Sequence, residues 1–413
     1  MSAMGDEGSK TGPSSEVRTA SSTTGGSEIG SFQSPLCASP ARTGMSAMGD
    51  EGSKTGPSSE VRTESSTTGG SEISSFQSPL CASPARFVLK PGQFLHDADA
   101  TESLASFTRR TCSMSVFSLF FDYTTVIAKD TKENCSVGES HPMLNRFKDV
   151  RCFDKNRVKV KHPDGTHDFL HANYVDGFRE KNKFILTQAP LEQTSEQFWA
   201  MIFQENVVLI VALIALDDKQ CRRYMPIKNG TTVNFGAYTI EHHGTQQIRD
   251  TYDATILKIR HGSEPERKLL HICYFDWPDK GTPTRPTEML NLIADMNYNR
   301  RLMMEEAEKS GWLKPGTQSP IVVHCLAGVG RSGTLAALDI CCRKLDYTEK
   351  QSTGPMVDVK DAVLRLRTQR EMAVQNPEQY LFLHLAVIEY ALRQRYYDDV
   401  DTIDLSSFNG YTV

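Results

Sequence analysis

Cys325 and Arg331 are separated by five residues, two of them glycines, and Ser332 follows the arginine. An apolar β-branched run, Ile321-Val322-Val323, ends at His324-Cys325, and a helix-forming run extends from Leu335 to Leu345. The pattern predicts a strand, a tight loop and a helix N-terminus. In such a loop the backbone N–H groups of Leu326, Ala327, Gly328, Val329 and Gly330 converge on one point, where the helix dipole adds partial positive charge. Gly328 and Gly330 permit the φ angles the turn needs and a close approach of an anion. The field that binds an anion also favours a thiolate, and helix N-termini and cations lower a thiol pKa from about 8.5 into roughly the 3.5–7.5 range. Arg331 offers a planar fork that matches two phosphate oxygens. A nucleophilic thiolate beneath a phosphate-shaped cradle implies a phosphocysteine intermediate. The plainer reading, a buried core cysteine after a buried strand, fits Cys325 alone but does not explain the loop glycines and the arginine.

Cys-x5-Arg-Ser resembles the signature of the cysteine-dependent phosphatases, and residues 324–334 resemble its protein tyrosine phosphatase form. The family usually carries Ser where Leu326 stands, a position that offers its backbone N–H, so the change is expected to be tolerated. The resemblance implies further site residues. Trp277-Pro278-Asp279 is similar to the family's mobile acid loop, with Asp279 as general acid and later as base towards water. Arg370-Glu-Met-Ala-Val-Gln375, followed by Gln379, is similar to the segment that holds the hydrolytic water, with Gln375 orienting it and Gln379 assisting. Asn145-Arg146-Phe147-Lys148-Asp149 resembles the substrate-recognition loop. There Phe147 stands for the usual Tyr and keeps a stacking face, and Asp149 would hold the substrate backbone. His324 would support the thiolate through backbone hydrogen bonds, and Ser332 the departing sulfur.

Departures accompany these matches. Ala189 replaces a Gly, Met225 a Trp, His171 an Asn and Lys280 a His. The segment before Cys221 is one residue short where the family carries a Glu that braces the arginine; Asp217 or Asp218, with Lys219, are the substitutes at hand. The expected activity is two-step hydrolysis of phosphotyrosine in proteins, with no cofactor and no metal. Its rivals are a phosphotyrosine-binding pseudophosphatase, a dual-specificity phosphatase, and a chain whose N-terminal repeat is the functional part.

The elements that must position these residues follow from patterning. Lys183–Thr187, Asn206–Ile214 and Lys268–Phe275 read as strands, Phe117–Ile127 as a helix, and Val359, Ala362, Val363 and Leu366 as one helix face. Thr194 and Gln197 form an expected capping box for the helix carrying Phe198, Trp199 and Ile202. Asn376 and Pro377 open a last helix. The mixture indicates an α/β or α+β domain over residues 87–395; the resemblance implies a single large domain with a twisted mixed β-sheet flanked by helices.

The chain has 413 residues, a net charge of −5 and ten cysteines without paired metal-site spacing. The charge gives no global reason to bind nucleic acid. No run is long enough for a membrane span, no signal peptide is visible, and a reduced Cys325 fits a cytoplasmic setting. Residues 1–42 and 45–86 form a near-perfect tandem repeat, differing at Ala20/Glu64 and Gly30/Ser74. Its Ser, Thr, Gly and Pro content predicts disorder. Ser34, Ser39, Ser78 and Ser83 precede prolines and are candidate kinase sites. Residues 396–413 read as a short acidic tail with a frayed end, and the terminal Val413 is a weak match to a PDZ-type ligand.

Overall fold

A computed structural model describes residues 94–99, 101–129, 132–218, 221–248, 250–278, 281–283 and 285–409. The tandem repeat with its Ser-Pro pairs, Lys219, Asp279, Lys280 and residues 410–413 lie outside the described residues. The strands are β1 (Arg157–Lys159), β2 (Phe169–Gly177), β3 (Glu180–Thr187), β4 (Leu209–Ala212), β5 (Thr232–Phe235), β6 (Tyr238–Ile248), β7 (Tyr252–His261), β8 (Arg267–Tyr274) and β9 (Ile321–His324). The helices are α1 (Leu104–Ser113), α2 (Val116–Ile127), α3 (Ser136–Glu139), α4 (Ser195–Gln204), α5 (Pro286–Lys309), α6 (Gly330–Thr348), α7 (Val359–Arg367) and α8 (Pro377–Gln394).

The strands form one mixed sheet in the order β1-β2-β3-β9-β4-β8-β7-β6-β5. Its centre, β3-β9-β4-β8, is parallel, and antiparallel strands extend it on both sides. Parallel strands covered on both faces read as unbroken apolar runs rather than alternations, which is why residues 321–323 carry no polar partner face. Along β9 the side chains alternate between two cores. Ile321 and Val323 join the one built with α5 to α8, and Val322 joins the one containing Phe198 and Trp199 of α4. The register sets Thr187 of β3 and Ala212 of β4 beside His324 of β9. Three parallel strands therefore end at one level, and the crevice beyond such ends is where loops gather to bind ligands.

Capping explains several boundaries. Asn376 accepts from the Gln379 amide at 2.8 Å, with Pro377 at the first turn of α8. Ser115 caps α2 in the same way. The expected Thr194/Gln197 box is corrected. Thr194 caps the preceding turn instead, where its Oγ1 accepts from the Leu191 amide at 2.9 Å. Gln197 is buried and donates to the carbonyls of Val160 and Phe169. Residues 396–408 are not frayed: Tyr396 donates to Asp346, Tyr397 pairs with Thr108, and Phe408 is fully buried.

One buried ion pair ties the sheet to the helix that follows the candidate site. Lys183 Nζ of β3 donates to Asp339 Oδ2 of α6 at 2.6 Å, at side-chain exposures of 3% and 0%. Asn297 Nδ2 donates to the other carboxylate oxygen at 2.7 Å. Burial opposes the charge on Asp339, but Lys183 and Arg343 outweigh it and hold the carboxyl below its usual range. Asp339→Ala strands a buried ammonium and should cost about 3–5 kcal/mol in urea unfolding, whereas Lys183→Met with Asp339→Leu should recover most of that loss.

Candidate active site

Cys325 follows β9 directly and is 5% exposed. The loop after it ends at Val329, and α6 begins at Gly330, five residues before the helix-forming run that starts at Leu335. Five successive carbonyls of this segment are held by protein donors. The Cys325 carbonyl accepts from His324 Nδ1 at 3.0 Å, and that of Leu326 from the Ala189 amide at 3.0 Å. The carbonyls of Ala327 and Gly328 accept from Arg370 NH2 and Nε, each at 3.0 Å. Val329 accepts from the amides of Gly333 and Val374. In a trans peptide the N–H points opposite to the C=O of the same plane. Anchoring the carbonyls of residues 325–329 outward therefore turns the amides of Leu326, Ala327, Gly328, Val329 and Gly330 to the other side, towards one another. That is a preorganised anion cradle.

The Gly328 amide donates to Cys325 Sγ at 3.2 Å. Burial opposes the thiolate, yet Ser332, the Gly328 amide and the charge of Arg331 outweigh it, and the Cys325 pKa falls below its ordinary value. Ser332 is buried; its hydroxyl is near enough to favour S⁻ but makes no hydrogen bond of regular geometry, so the amide is the better-aligned donor. The other buried thiols show the opposite sign: burial pushes Cys341 up to about 12 and Cys221 up to about 12. Cys325 is thus distinguished by its surroundings from cysteines that are merely buried.

His324 acts behind the sulfur. Burial lowers its pKa to about 4, so the ring is neutral at pH 7. A carbonyl can only accept, so Nδ1 carries the proton given to Cys325, and Nε2 accepts from the Tyr224 hydroxyl at 2.6 Å. The Tyr224 oxygen in turn receives a proton from His271 Nε2 at 2.7 Å. This chain fixes one tautomer and one orientation for the peptide next to the thiolate.

Arg331 is partly buried. Its NH1 donates to the Leu213 carbonyl and its NH2 to the Pro278 carbonyl, both at 3.1 Å. The guanidinium is thereby tied to the end of β4 and to the segment on which Asp279 stands. Asp279 itself lies outside the described residues. Its neighbours are anchored: Trp277 is buried, and its Nε1 donates to the Gly281 carbonyl at 3.1 Å. Asp218, one of the residues considered for the bracing role, accepts from the Arg223 amide at 2.9 Å through Oδ1, and its carboxylate pairs with the Arg223 guanidinium.

Gln375 and Gln379 meet at the loop. The Gln375 amide donates to Gln379 Oε1 at 2.8 Å. A Cβ at Gly330 would lie 3.0 Å from Gln379 Nε2 and 3.1 Å from Gln375 Oε1, so both amide side chains rest against the rim of the cradle. Gln375 is exposed and Gln379 buried, leaving the first facing water.

Phe147 is 36% exposed, and Lys148 and Asp149 are exposed with it. They belong to a segment held by Arg146, whose amide donates to Gln188 Oε1 and whose guanidinium donates to the carbonyls of Ala189 and Pro190. Ala189 in turn anchors the Leu326 carbonyl, so the recognition segment and the cradle share one support.

Arg370 is the functional residue whose part the sequence did not reveal. It is fully buried, and besides the two loop carbonyls it donates to Asn173 Oδ1 at 2.8 Å and to His171 Nδ1 at 3.1 Å. Its loop partners lie about forty positions upstream and the others about two hundred, beyond any local pattern. Its immediate neighbours in sequence, Arg367, Thr368, Gln369 and Glu371, are polar or charged, so no local signal marked Arg370 as buried.

The arrangement can hold a tetrahedral oxyanion over a thiolate and supply it with amides and a guanidinium. A family model described as protein-tyrosine phosphatase matches residues 141–389. The chain is 33% identical over 269 residues to human tyrosine-protein phosphatase non-receptor type 9, covering 63% of this chain and 44% of that protein. It is 36% identical over 273 residues to tyrosine phosphatase H3 of Microplitis demolitor bracovirus (isolate Webb), covering 60% and 80%. Tyrosine-protein phosphatase 69D of Drosophila melanogaster is 32% identical over 280 residues, covering 65% and 17%. The chain spans less than half the length of the human and fly relatives.

Proposed function

The chain belongs to the protein-tyrosine phosphatase family, and from that premise we propose that it hydrolyses phosphotyrosine in proteins through a phosphocysteine. What carries this reading is the outward anchoring of five successive carbonyls around a thiol with a lowered pKa. The Cys325 thiolate attacks phosphorus; the S–P bond forms as the bond from phosphorus to the tyrosyl oxygen breaks. The amides of residues 326–330 and Arg331 stabilise the equatorial oxygens. Asp279 gives the leaving oxygen its proton. Water oriented by Gln375 and Gln379 then attacks phosphorus, Asp279 takes its proton, and sulfur departs towards Ser332 as phosphate is released. Phe147 stacks on the substrate ring, and Asp149 holds the peptide backbone.

Phosphotyrosine proteins are therefore the partners, and the cytoplasm is the assigned setting. The eight described cysteines are free thiols, and no helix among the described residues is long and apolar enough to cross a membrane. The pseudophosphatase alternative draws on Phe147 and the altered segment before Cys221. The test is turnover by the full chain of one peptide in its phosphotyrosine and phosphoserine forms, with EDTA present. Hydrolysis of the phosphotyrosine form alone is expected. Tight phosphotyrosine binding without turnover would select the pseudophosphatase, and equal turnover of both forms would select dual specificity.

A further inference from the structure

The turn at residues 368–376 touches more than the cradle. Arg370 holds the carbonyls of Ala327 and Gly328, and the next residue, Glu371, reaches the opposite way. The Glu371 carboxylate accepts from the Arg151 amide at 3.1 Å and from Arg151 Nε at 3.0 and 3.1 Å, and it pairs with Arg151 NH2. A parallel link runs beside it. His171 Nδ1 accepts from Arg370, and its Nε2 donates to the Val150 carbonyl at 3.0 Å. Two consecutive turn residues, 370 and 371, are thus joined to two consecutive residues, 150 and 151, at the downstream end of the recognition segment. The upstream end is fixed by Arg146. Phe147, Lys148 and Asp149 hang exposed between these two anchors.

We propose that Glu371 is a positioning residue that, through Arg151, sets the height of the Phe147–Asp149 rim above Cys325 and thereby tunes affinity for phosphotyrosine peptides. This rests on the phosphatase reading above. The pair lies near the surface, with side-chain exposures of 37% for Arg151 and 12% for Glu371, so its contribution to stability is small. Its geometry is more restrictive than its energy. One carboxylate collects a backbone amide and a guanidinium from the same residue, which fixes the path of the chain there as well as one rotamer. A rim displaced from a pocket floor that stays in place changes ground-state binding more than the chemical step.

The test compares Glu371→Ala, Arg151→Ala and the double variant on a phosphotyrosine peptide and on a small aryl phosphate, which offers a ring to Phe147 but no peptide backbone to Asp149. Each single variant should raise the peptide KM roughly tenfold, the scale of one lost charge-assisted contact. The kcat should hold, and the aryl phosphate KM should rise by less than the peptide KM, because Asp149 meets only the peptide. The double variant should be no worse than either single variant, because both remove one link. Glu371→Gln, which keeps the acceptor for the Arg151 amide, should rescue part of the loss. Should Glu371→Ala fail to fold, Arg151→Ala carries the same readout. An unchanged peptide KM, or an equal loss on both substrates, overturns the inference. Absence of aryl phosphate turnover by the unmodified chain overturns the phosphatase reading with it, so the two failures are told apart.

Discussion

Gly328→Ala should lower kcat/KM by at least about 10²–10³-fold, the effect of disabling an oxyanion-hole donor, and should destabilise the fold measurably. Gly328 has φ +71°, where a side chain costs about 1–2 kcal/mol. A Cβ there would also stand 2.0 Å from the Thr187 carbonyl oxygen and 2.3 Å from its carbon. Those are backbone atoms at the end of a central strand, so the loop must move instead. Its movement would break two contacts together: the Gly328 amide on Cys325 Sγ and the Gly328 carbonyl on Arg370. Gly354 provides the control. Its φ is +70°, but nothing lies within 4 Å of a Cβ built there. Gly354→Ala should show the backbone cost of about 1–2 kcal/mol in denaturant unfolding and leave turnover unchanged. Equal kinetics in the two variants would show that the fit of the loop against Thr187 does not govern the site.

Cys325→Ser should abolish turnover, by about 10⁴-fold or more, while phosphopeptide binding persists. Serine keeps the shape of the site, and the cradle amides and Arg331 are untouched. The hydroxyl has no adjacent base comparable to the field that ionises the thiol. The pH profile separates this account from a general loss of structure. With the thiol pKa lowered from 9.0 in the folded protein, kcat/KM should not decline as the pH falls through 9.0. It should decline only at the lower folded value, where S⁻ takes up a proton. The same shift has a sign in stability. The unfolded chain binds the proton first as pH falls, so the thiolate's contribution is complete above the unfolded pKa and is lost as pH falls through the folded one. Unfolding curves of the native and serine proteins should therefore differ in pH slope within that window. A native slope identical to that of Cys325→Ser would mean that the thiol titrates alike in both states.

The legible parts of this fold were those written in contiguous residues. Ile321 to Thr334 carries strand, loop and helix start within one stretch, and Asn376-Pro377 announces its helix locally. The Thr194/Gln197 pair failed because a capping pattern competes with tertiary demand. Two buried carbonyls, of Val160 and Phe169, needed a donor, and Gln197 supplied it. Helix α5 and the strands β5–β7 were not anticipated. β6 has mixed burial and a register shift between His242 and Gly244 that interrupts its period. In the site, the sequence pointed to the amides of residues 326–330 but not to what turns them inward. That work falls to Arg370 and Val374 of one turn, to Ala189 and to His324, contributed by three separate segments. Long-range hydrogen bonds of this kind leave no periodic trace.

The packing of residues 396–408 changes where this catalytic unit can be cut. Helix α8 closes at Arg395 in a left-handed conformation, which looks like a natural full stop. Yet Ile403, Leu405 and Phe408 continue into the same apolar core as α8 itself. A protein truncated or fused at Arg395 would keep every candidate site residue and still lose a clasp. Losing Phe408 alone withdraws roughly 1.5–3 kcal/mol of apolar burial. Exchange of this module between proteins should therefore carry residues 396–408 along, and grafts that omit them should express as folded but heat-labile proteins.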